Sequence, residues 1–325
     1  MTDFLLVQQL HQMMGQLPRP RLMFRKGIGM KGYFRPYRSF EEYTDADIFC
    51  EVDESFAVRA RFSSLLGDRG TADTRRNIKG FAVRFGTGAG EYDLLCSSLP
   101  VFLIYRSRDF PALAEVLRRD MWFDEIVPEK FWNFVIEHPE ALHGALRLFS
   151  REGLAASYRL LSWYSVHTWV WSNGSGERFL VRCRWNPVDR GEEVIAGEHE
   201  EAAGQDRVMA EFLAGFDPDI AEEDLKRSVA SGHFPAWELW VQIMNSRYST
   251  HPEYQRSTVS WNEAVFPPIR AGILKLTELQ PPEESEELCF SPGRLGKGIA
   301  LLESDFAAFS DYAHKAGGAE RGIWT

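Results

Sequence analysis

The feature that most restricts the fold is a run of short apolar segments cut by turns between residues 60 and 111. Phe81-Ala82-Val83-Arg84-Phe85 alternates apolar and polar side chains, the period of a strand with one buried face. Gly88-Ala89-Gly90 supplies a turn and Tyr92-Asp93-Leu94-Leu95 resumes the apolar pattern, so a hairpin is predicted. Residues 99–105 form a continuous apolar run bounded by turn signals, which predicts a deeply buried strand. The neighbouring polar, glycine-containing segment carries Arg61, Asp68, Arg69, Asp73, Arg75 and Arg76. Two readings stand for those charges: a solvated loop, or a loop folded over the carboxylate of a cofactor.

Elsewhere the periodicity moves between helix and strand. Phe4, Leu5, Leu6, Leu10, Met13 and Met14 predict an amphipathic helix over residues 3–17, which Pro18 and Pro20 end. Apolar residues three and four apart predict helices over 112–118, 128–137 and 139–149. Strands are expected over 165–172 and 178–185 around an Asn173-Gly174 turn, and helices over 198–219 and 222–231. Residues 280–287 (QPPEESEE) read as a proline- and acid-rich surface linker. Beyond it Leu302, Phe306, Phe309 and Ala313 make one apolar helix face, flanked by Tyr312 and His314. At ~100° per residue these two lie ~160° apart, so at most one can face a given site. The domain reading is an N-terminal helical arm (1–19), one central unit (20–279), and an acidic linker with a C-terminal helix (280–325).

Composition narrows the function. A chain of 325 residues, 44% hydrophobic and 26% charged, buries one large core or two modest ones. A net charge of −10 argues against nucleic acid as the main partner, because phosphate binding needs clustered Lys and Arg. The 13% aromatic content suits a wide apolar pocket, a large barrel interior or an aromatic-rich core. Cys50, Cys96, Cys183 and Cys289 lie far apart without a C-x-x-C pair, so reduced thiols are expected rather than zinc or disulfides. Residues 1–17 lack a basic segment followed by an apolar one, and no apolar run approaches the ~20 residues that span a bilayer. A soluble, cytoplasmic protein is expected.

The run Ala60-Arg61-Phe62-Ser63-Ser64-Leu65-Leu66-Gly67-Asp68-Arg69-Gly70-Thr71-Ala72-Asp73-Thr74 is followed by Gly80-Phe81-Ala82-Val83-Arg84-Phe85, then Tyr92-Asp93-Leu94 and Leu99-Pro100-Val101-Phe102. In order and spacing these resemble the core motifs of the haem catalase family. Arg21, Lys26, Gly27, Gly29, Gly32, Tyr33 and Phe34 match a glycine-rich segment of that family without a gap, and the resemblance extends over residues 20–276. It implies an α+β fold: a catalase-like antiparallel β-barrel of about eight strands, helices packed outside it, and a helix closing the proximal side of a haem. It implies haem b as cofactor, with Arg21 and Arg61 on its propionates. Ser63 would stand behind the distal group, Phe110 against the macrocycle, and Met23, Phe24 and Phe102 would make that face apolar. His167 matches the histidine of the family's proximal relay. The family's N-terminal arm reaches a neighbouring subunit, so residues 3–17 either dock in a homo-oligomer or pack on their own domain. The long C-terminal helical part of large catalases is expected to be missing.

The chain departs from the family where the chemistry happens. The distal histidine falls on Phe24, and a phenyl ring neither accepts nor donates a proton. The distal asparagine falls on Ser97, so ordinary hydrogen peroxide dismutation is not expected. Catalases ligate iron through tyrosine. The ungapped register puts the motif arginine on Ser310 and the ligand on His314; a two-residue slip puts them on Ala308 and Tyr312. Both lose the arginine whose positive charge keeps a phenol ionised, and the metal ligand is Tyr312 or His314. Two function classes follow. One is haem-dependent rearrangement, dehydration or peroxidation of a small organic substrate, a hydroperoxide or an oxygenated biosynthetic intermediate. The other is a haem-free or non-catalytic barrel acting as a small-molecule binding or interaction module.

Overall fold

In the computed structural model, residues 4–15, 23–65, 70–88, 90–117, 126–188, 205–248 and 251–319 are described. The strands among them are β1 (Gly27–Pro36), β2 (Phe56–Ser64), β3 (Lys79–Thr87), β4 (Gly90–Ser97), β5 (Trp163–Ser165), β6 (Trp169–Ser172), β7 (Arg178–Pro187), β8 (Ala236–Asn245), β9 (Ile269–Leu279) and β10 (Ile299–Leu301). The helices are α1 (Phe4–Gly15), α2 (Asp47–Cys50), α3 (Phe110–Leu117), α4 (Pro128–Glu137), α5 (Leu142–Phe149), α6 (Arg207–Phe216), α7 (Ile220–Ala230), α8 (Pro282–Glu287) and α9 (Asp305–Ala319).

The predicted hairpin is β3 and β4, paired from Gly80 opposite Ser97 to Thr87 opposite Gly90. From it the antiparallel sheet grows in both directions, through β2, β1, β9 and β8 on one side and β5 and β7 on the other. The pairing of β7 with β8, from Phe179 opposite Asn245 to Pro187 opposite Trp237, joins the two ends. Eight strands therefore close into a barrel, the number whose interior side chains just fill the space, while β6 and β10 extend from β7. A bulge between Lys31 and Gly32 bends β1 against β9. Gly32 is required there, since a Cβ would overlap the Lys275 carbonyl.

Aromatic side chains fill the interior. Trp163 and Trp237 are fully buried beside Phe62, which stacks on Phe81 at 4.5 Å and 11°, and the fully buried Trp185 meets Phe81. Such near-parallel pairs add to the burial of large apolar area. A second core lies outside the barrel, where α3, α4 and α5 pack around Leu99, Leu103, Ile104 and Phe306.

Three local predictions need correction. Residues 99–105 are buried but irregular: Phe102 N–H donates to the Ser257 carbonyl at 2.8 Å and no ladder continues. A continuous apolar run reports burial, and here the burial is against helices rather than strands. The predicted strand over 165–172 breaks into β5 and β6: Val166 N–H still donates to the Leu95 carbonyl and Thr168 still accepts from Leu302 N–H, so it is His167 between them that leaves the ladder. Residues 280–287 are not a linker; Pro282 starts the short helix α8, whose Glu284 pairs with Lys31 on β1 at 2.9 Å. Of the helix predicted over 198–219, α6 is present, with Asp206 capping it by accepting from Met209 N at 2.9 Å, and residues 198–204 lie outside the described residues. No described helix is long and apolar enough to cross a membrane.

Because Phe62 packs on four aromatic rings at the barrel centre, Phe62→Ala is expected to lower stability by ~3–5 kcal/mol. Denaturant unfolding checks this; a loss below ~1 kcal/mol would show that the interior packs loosely.

Candidate functional site

The site is assembled where the segment before β1, the ends of β2 to β4 and α9 meet. Phe24 precedes β1 and has φ +59°, the only positive φ of a non-glycine among the described residues. A bulky aromatic in the left-handed region is strained and persists only where its surroundings fix it. They do so from several sides. Phe24 N–H donates to the Leu65 carbonyl at 3.0 Å. Arg61, 2% exposed on β2, donates from Nη1 to the Phe24 carbonyl at 2.8 Å and from Nη2 to the Arg25 carbonyl at 3.1 Å. Lys26 anchors the next residue in a buried ion pair with Asp73 at 2.8 Å, and Asp219 adds a second at 2.6 Å. Gly80 on β3 leaves room for the ring, since a Cβ there would come within 2.6 Å of it.

Phe24 forms one wall of a mainly apolar cavity of about 180 Å³. The opposite wall is one face of α9, where Phe306, Ser310, Ala313, His314 and Gly317 recur at helical spacing. The Phe24 and His314 rings face each other at 6.5 Å between centroids and 21° from parallel. Phe102 stacks on Phe306 at 5.6 Å, and Phe110 meets Phe309 at 4.9 Å; all four line the cavity. Asp305 ties the start of α9 down by accepting from Ser107 N–H at 3.0 Å and Ser107 Oγ at 2.8 Å.

His167, released by the break between β5 and β6, sits behind this helix with Nε2 3.1 Å from Ser310 Oγ. Burial, reinforced by His314, lowers its pKa to about 3, so the imidazole is neutral. Ser97 also lines the cavity, but its hydroxyl donates to the Leu99 carbonyl at 3.1 Å. Ser63 lines the same wall.

The structure therefore brings Phe24, Arg61, Ser63, Ser97, Phe102, Phe110, His167 and His314 to one cavity. Tyr312 is not among the lining residues; it packs with Leu6, Leu10 and Phe309 where α1 meets α9. The N-terminal helix thus packs on its own domain. Arg21 lies outside the described residues. Cys96 and Cys289 line the cavity too, and Cys289 Sγ contacts the His314 carbonyl at 3.5 Å. Nothing in the sequence marked them, because their proximity follows from strand and loop placement 193 residues apart in the chain (289 − 96).

A flat conjugated cofactor fits this donor set. One flat layer between two rings needs about 7 Å, two van der Waals separations, against the 6.5 Å observed. His314 would offer a nitrogen ligand and Arg61 a cation, since both line the cavity. Ligation would require the imidazole to turn about its soft Cβ–Cγ torsion, since its plane is now within 21° of that of the Phe24 ring.

A closed eight-stranded antiparallel barrel with an apolar cavity under a C-terminal helix defines a barrel of the catalase type. Comparison with known proteins agrees. The catalase family profile matches residues 1–306, and the chain belongs to the catalase family. It is 33% identical over 286 residues to a catalase of Methanosarcina barkeri, covering 86% of this chain and 54% of that protein. It is 31% identical over 324 residues to a bromoperoxidase-catalase of Streptomyces venezuelae, covering 96% and 64%. A fungal catalase crystal structure superposes with a TM-score of 0.84 at 27% identity, over 98% of this chain and 62% of that one. A bacterial catalase structure gives 0.82 at 25%, over 98% and 60%. The chain spans little more than half to about two thirds of these relatives.

The buried His167 carries a pH prediction. The unfolded chain protonates this imidazole near 6.5, whereas the folded protein resists until about 3. The unfolded state binds more protons within that window, so stability rises with pH across it and falls on acidification. His167→Gln is expected to flatten part of the slope between pH 6.5 and 4; an unchanged slope would place the titrating group elsewhere.

Proposed function

We propose that the cavity between Phe24 and α9 holds haem b, with His314 as the iron ligand. On this reading the protein converts an organic hydroperoxide or an oxygenated biosynthetic intermediate rather than dismutating hydrogen peroxide. The observation that carries it is the placement of Phe24 and His314 on opposite walls of one mainly apolar cavity, 6.5 Å apart between ring centroids. Membership of the catalase family supports the cofactor. When bound, haem supplies an iron centre able to activate the O–O bond of a peroxide. Every other part of the task falls to this chain's own residues.

Arg61, and Arg21 by resemblance, would meet the cofactor's carboxylates. Phe24 covers the distal side without a transferable proton, and the Ser97 hydroxyl is committed to the Leu99 carbonyl. Neither can take the proton of hydrogen peroxide or protonate a leaving oxygen. An apolar lining that excludes water suits an organic substrate instead. On the proximal side, two departures from the family agree with each other. A phenolate ligand needs a nearby cation to stay ionised, whereas a neutral imidazole ligates unaided. With Ser310 against His167 in the relay position, the arginine is dispensable when the ligand is His314. The position of Tyr312, against Leu6, Leu10 and Phe309, does not favour it. A cytoplasmic homo-oligomer is the assembly proposed on the resemblance.

Protein purified from haem-supplied cells should show a Soret band that His314→Ala abolishes or shifts and Tyr312→Phe leaves in place. A fully folded protein with no Soret band would favour a haem-free binding barrel. Oxygen evolution from hydrogen peroxide should lie several orders of magnitude below a true catalase, since each missing acid–base group is worth ~10²–10⁴-fold. Phe24→His with Ser97→Asn should recover part of it; rapid turnover by the unaltered protein would refute the reading of the distal side.

A further inference from the structure

We infer that Phe24 is a steric specificity residue, locked over the cavity by its left-handed backbone, that admits slim, largely apolar ligands and rejects branched ones. The lock is the unusual part. A phenylalanine needed only to fill space would adopt an ordinary backbone, yet Phe24 alone among the described non-glycine residues has a positive φ, +59°. Strain of this kind persists where neighbours over-determine it, and it marks places where a side chain must be aimed.

The neighbours are unusually complete. Both backbone polar groups of Phe24 are held, the N–H by the Leu65 carbonyl at 3.0 Å and the carbonyl by Arg61 Nη1 at 2.8 Å. The same guanidinium grips the Arg25 carbonyl at 3.1 Å, and Lys26 is pinned by Asp73 at 2.8 Å. Sliding the segment would break a buried charged network, which is costly. On the cavity side the ring lies over Gly80 with too little space for even a methyl group beneath it. The ring can therefore neither drop toward β3 nor move with its backbone, so it sets the width of the cavity on the side opposite His314.

Selection follows from what surrounds the ring. Met23, Leu65 and Phe102 are apolar, and the Ser97 hydroxyl is turned to the Leu99 carbonyl. Such a lining suits a slim, largely apolar ligand. A branched one would have to displace a ring that the backbone does not release.

Because this inference rests on the proposed haem site, the test includes arms that need no haem. The first compares the unfolding midpoints of Phe24→Gly and Phe24→Ala. Both lose the same ring, but only glycine tolerates the left-handed backbone without penalty. The glycine variant should unfold at the higher denaturant concentration; the reverse order would overturn the lock. The second uses the haem-loaded ferrous protein and measures the affinity of methyl, n-butyl and tert-butyl isocyanide. In the unaltered protein affinity should fall by about tenfold or more from the methyl to the tert-butyl ligand, a size discrimination typical of a tight apolar pocket. Phe24→Gly should reduce that fall to about threefold or less. Equal binding of all three by the unaltered protein would overturn the gate. If no variant takes up haem, the cofactor reading fails and benzene binding measured by calorimetry decides the gate. Binding to Phe24→Gly but not to the unaltered protein supports it, and equal binding overturns it.

Discussion

The pairing of β7 with β8 is the constraint on which the site depends, because it turns a twisted sheet into a closed barrel. Closure fixes the rim formed by the ends of β2, β3 and β4, and residues that are remote in sequence converge there. Ser63 is the penultimate residue of β2, Gly80 the second of β3, and Ser97 ends β4. The break between β5 and β6 turns His167 out of the ladder at the same rim, where α9 lies across it. An open sheet could not hold Phe24 and His314 at a single-layer spacing from opposite sides.

Charge does the local work of holding this rim. Arg84 and Asp93 pair at 2.7 Å inside the barrel wall, and Ser291 N–H donates to Asp93 at 2.9 Å, which ties the chain after α8 to β4. Asp311 on α9 accepts from Gly293 N–H at 2.9 Å and from Ser291 Oγ, so the same segment holds the helix that carries His314. Asp93 is fully buried and its pKa is raised by that burial, opposed by Arg84. Removing either partner would leave an uncompensated buried charge, far costlier than losing a surface pair.

Much of this was legible in the sequence because the barrel strands carry their burial in their periodicity. The β3–β4 hairpin could be read from one alternating segment, one glycine turn and a second apolar segment. The family resemblance, carried by linked motifs over residues 60–102, fixed the order of the elements around it. Residues 99–105 were misread because an apolar run records burial without saying what lies against it. The break at His167 was invisible because Ser165-Val166-His167-Thr168-Trp169 keeps a strand-like composition. The strain at Phe24 left no trace at all, since it arises from Arg61, Leu65 and Gly80 acting together in three dimensions. The placement of Tyr312 and His314 was undecided at one dimension for a simple reason. Helical geometry says the two point apart, and only packing against α1 says which one turns inward.

The most direct test of the central claim is an anomalous difference map at the iron edge from crystals of the haem-loaded protein. The account predicts one peak in the layer between the Phe24 ring and α9, within bonding distance of a His314 ring nitrogen. A peak bonded to the Tyr312 oxygen, or one outside that layer, would contradict it.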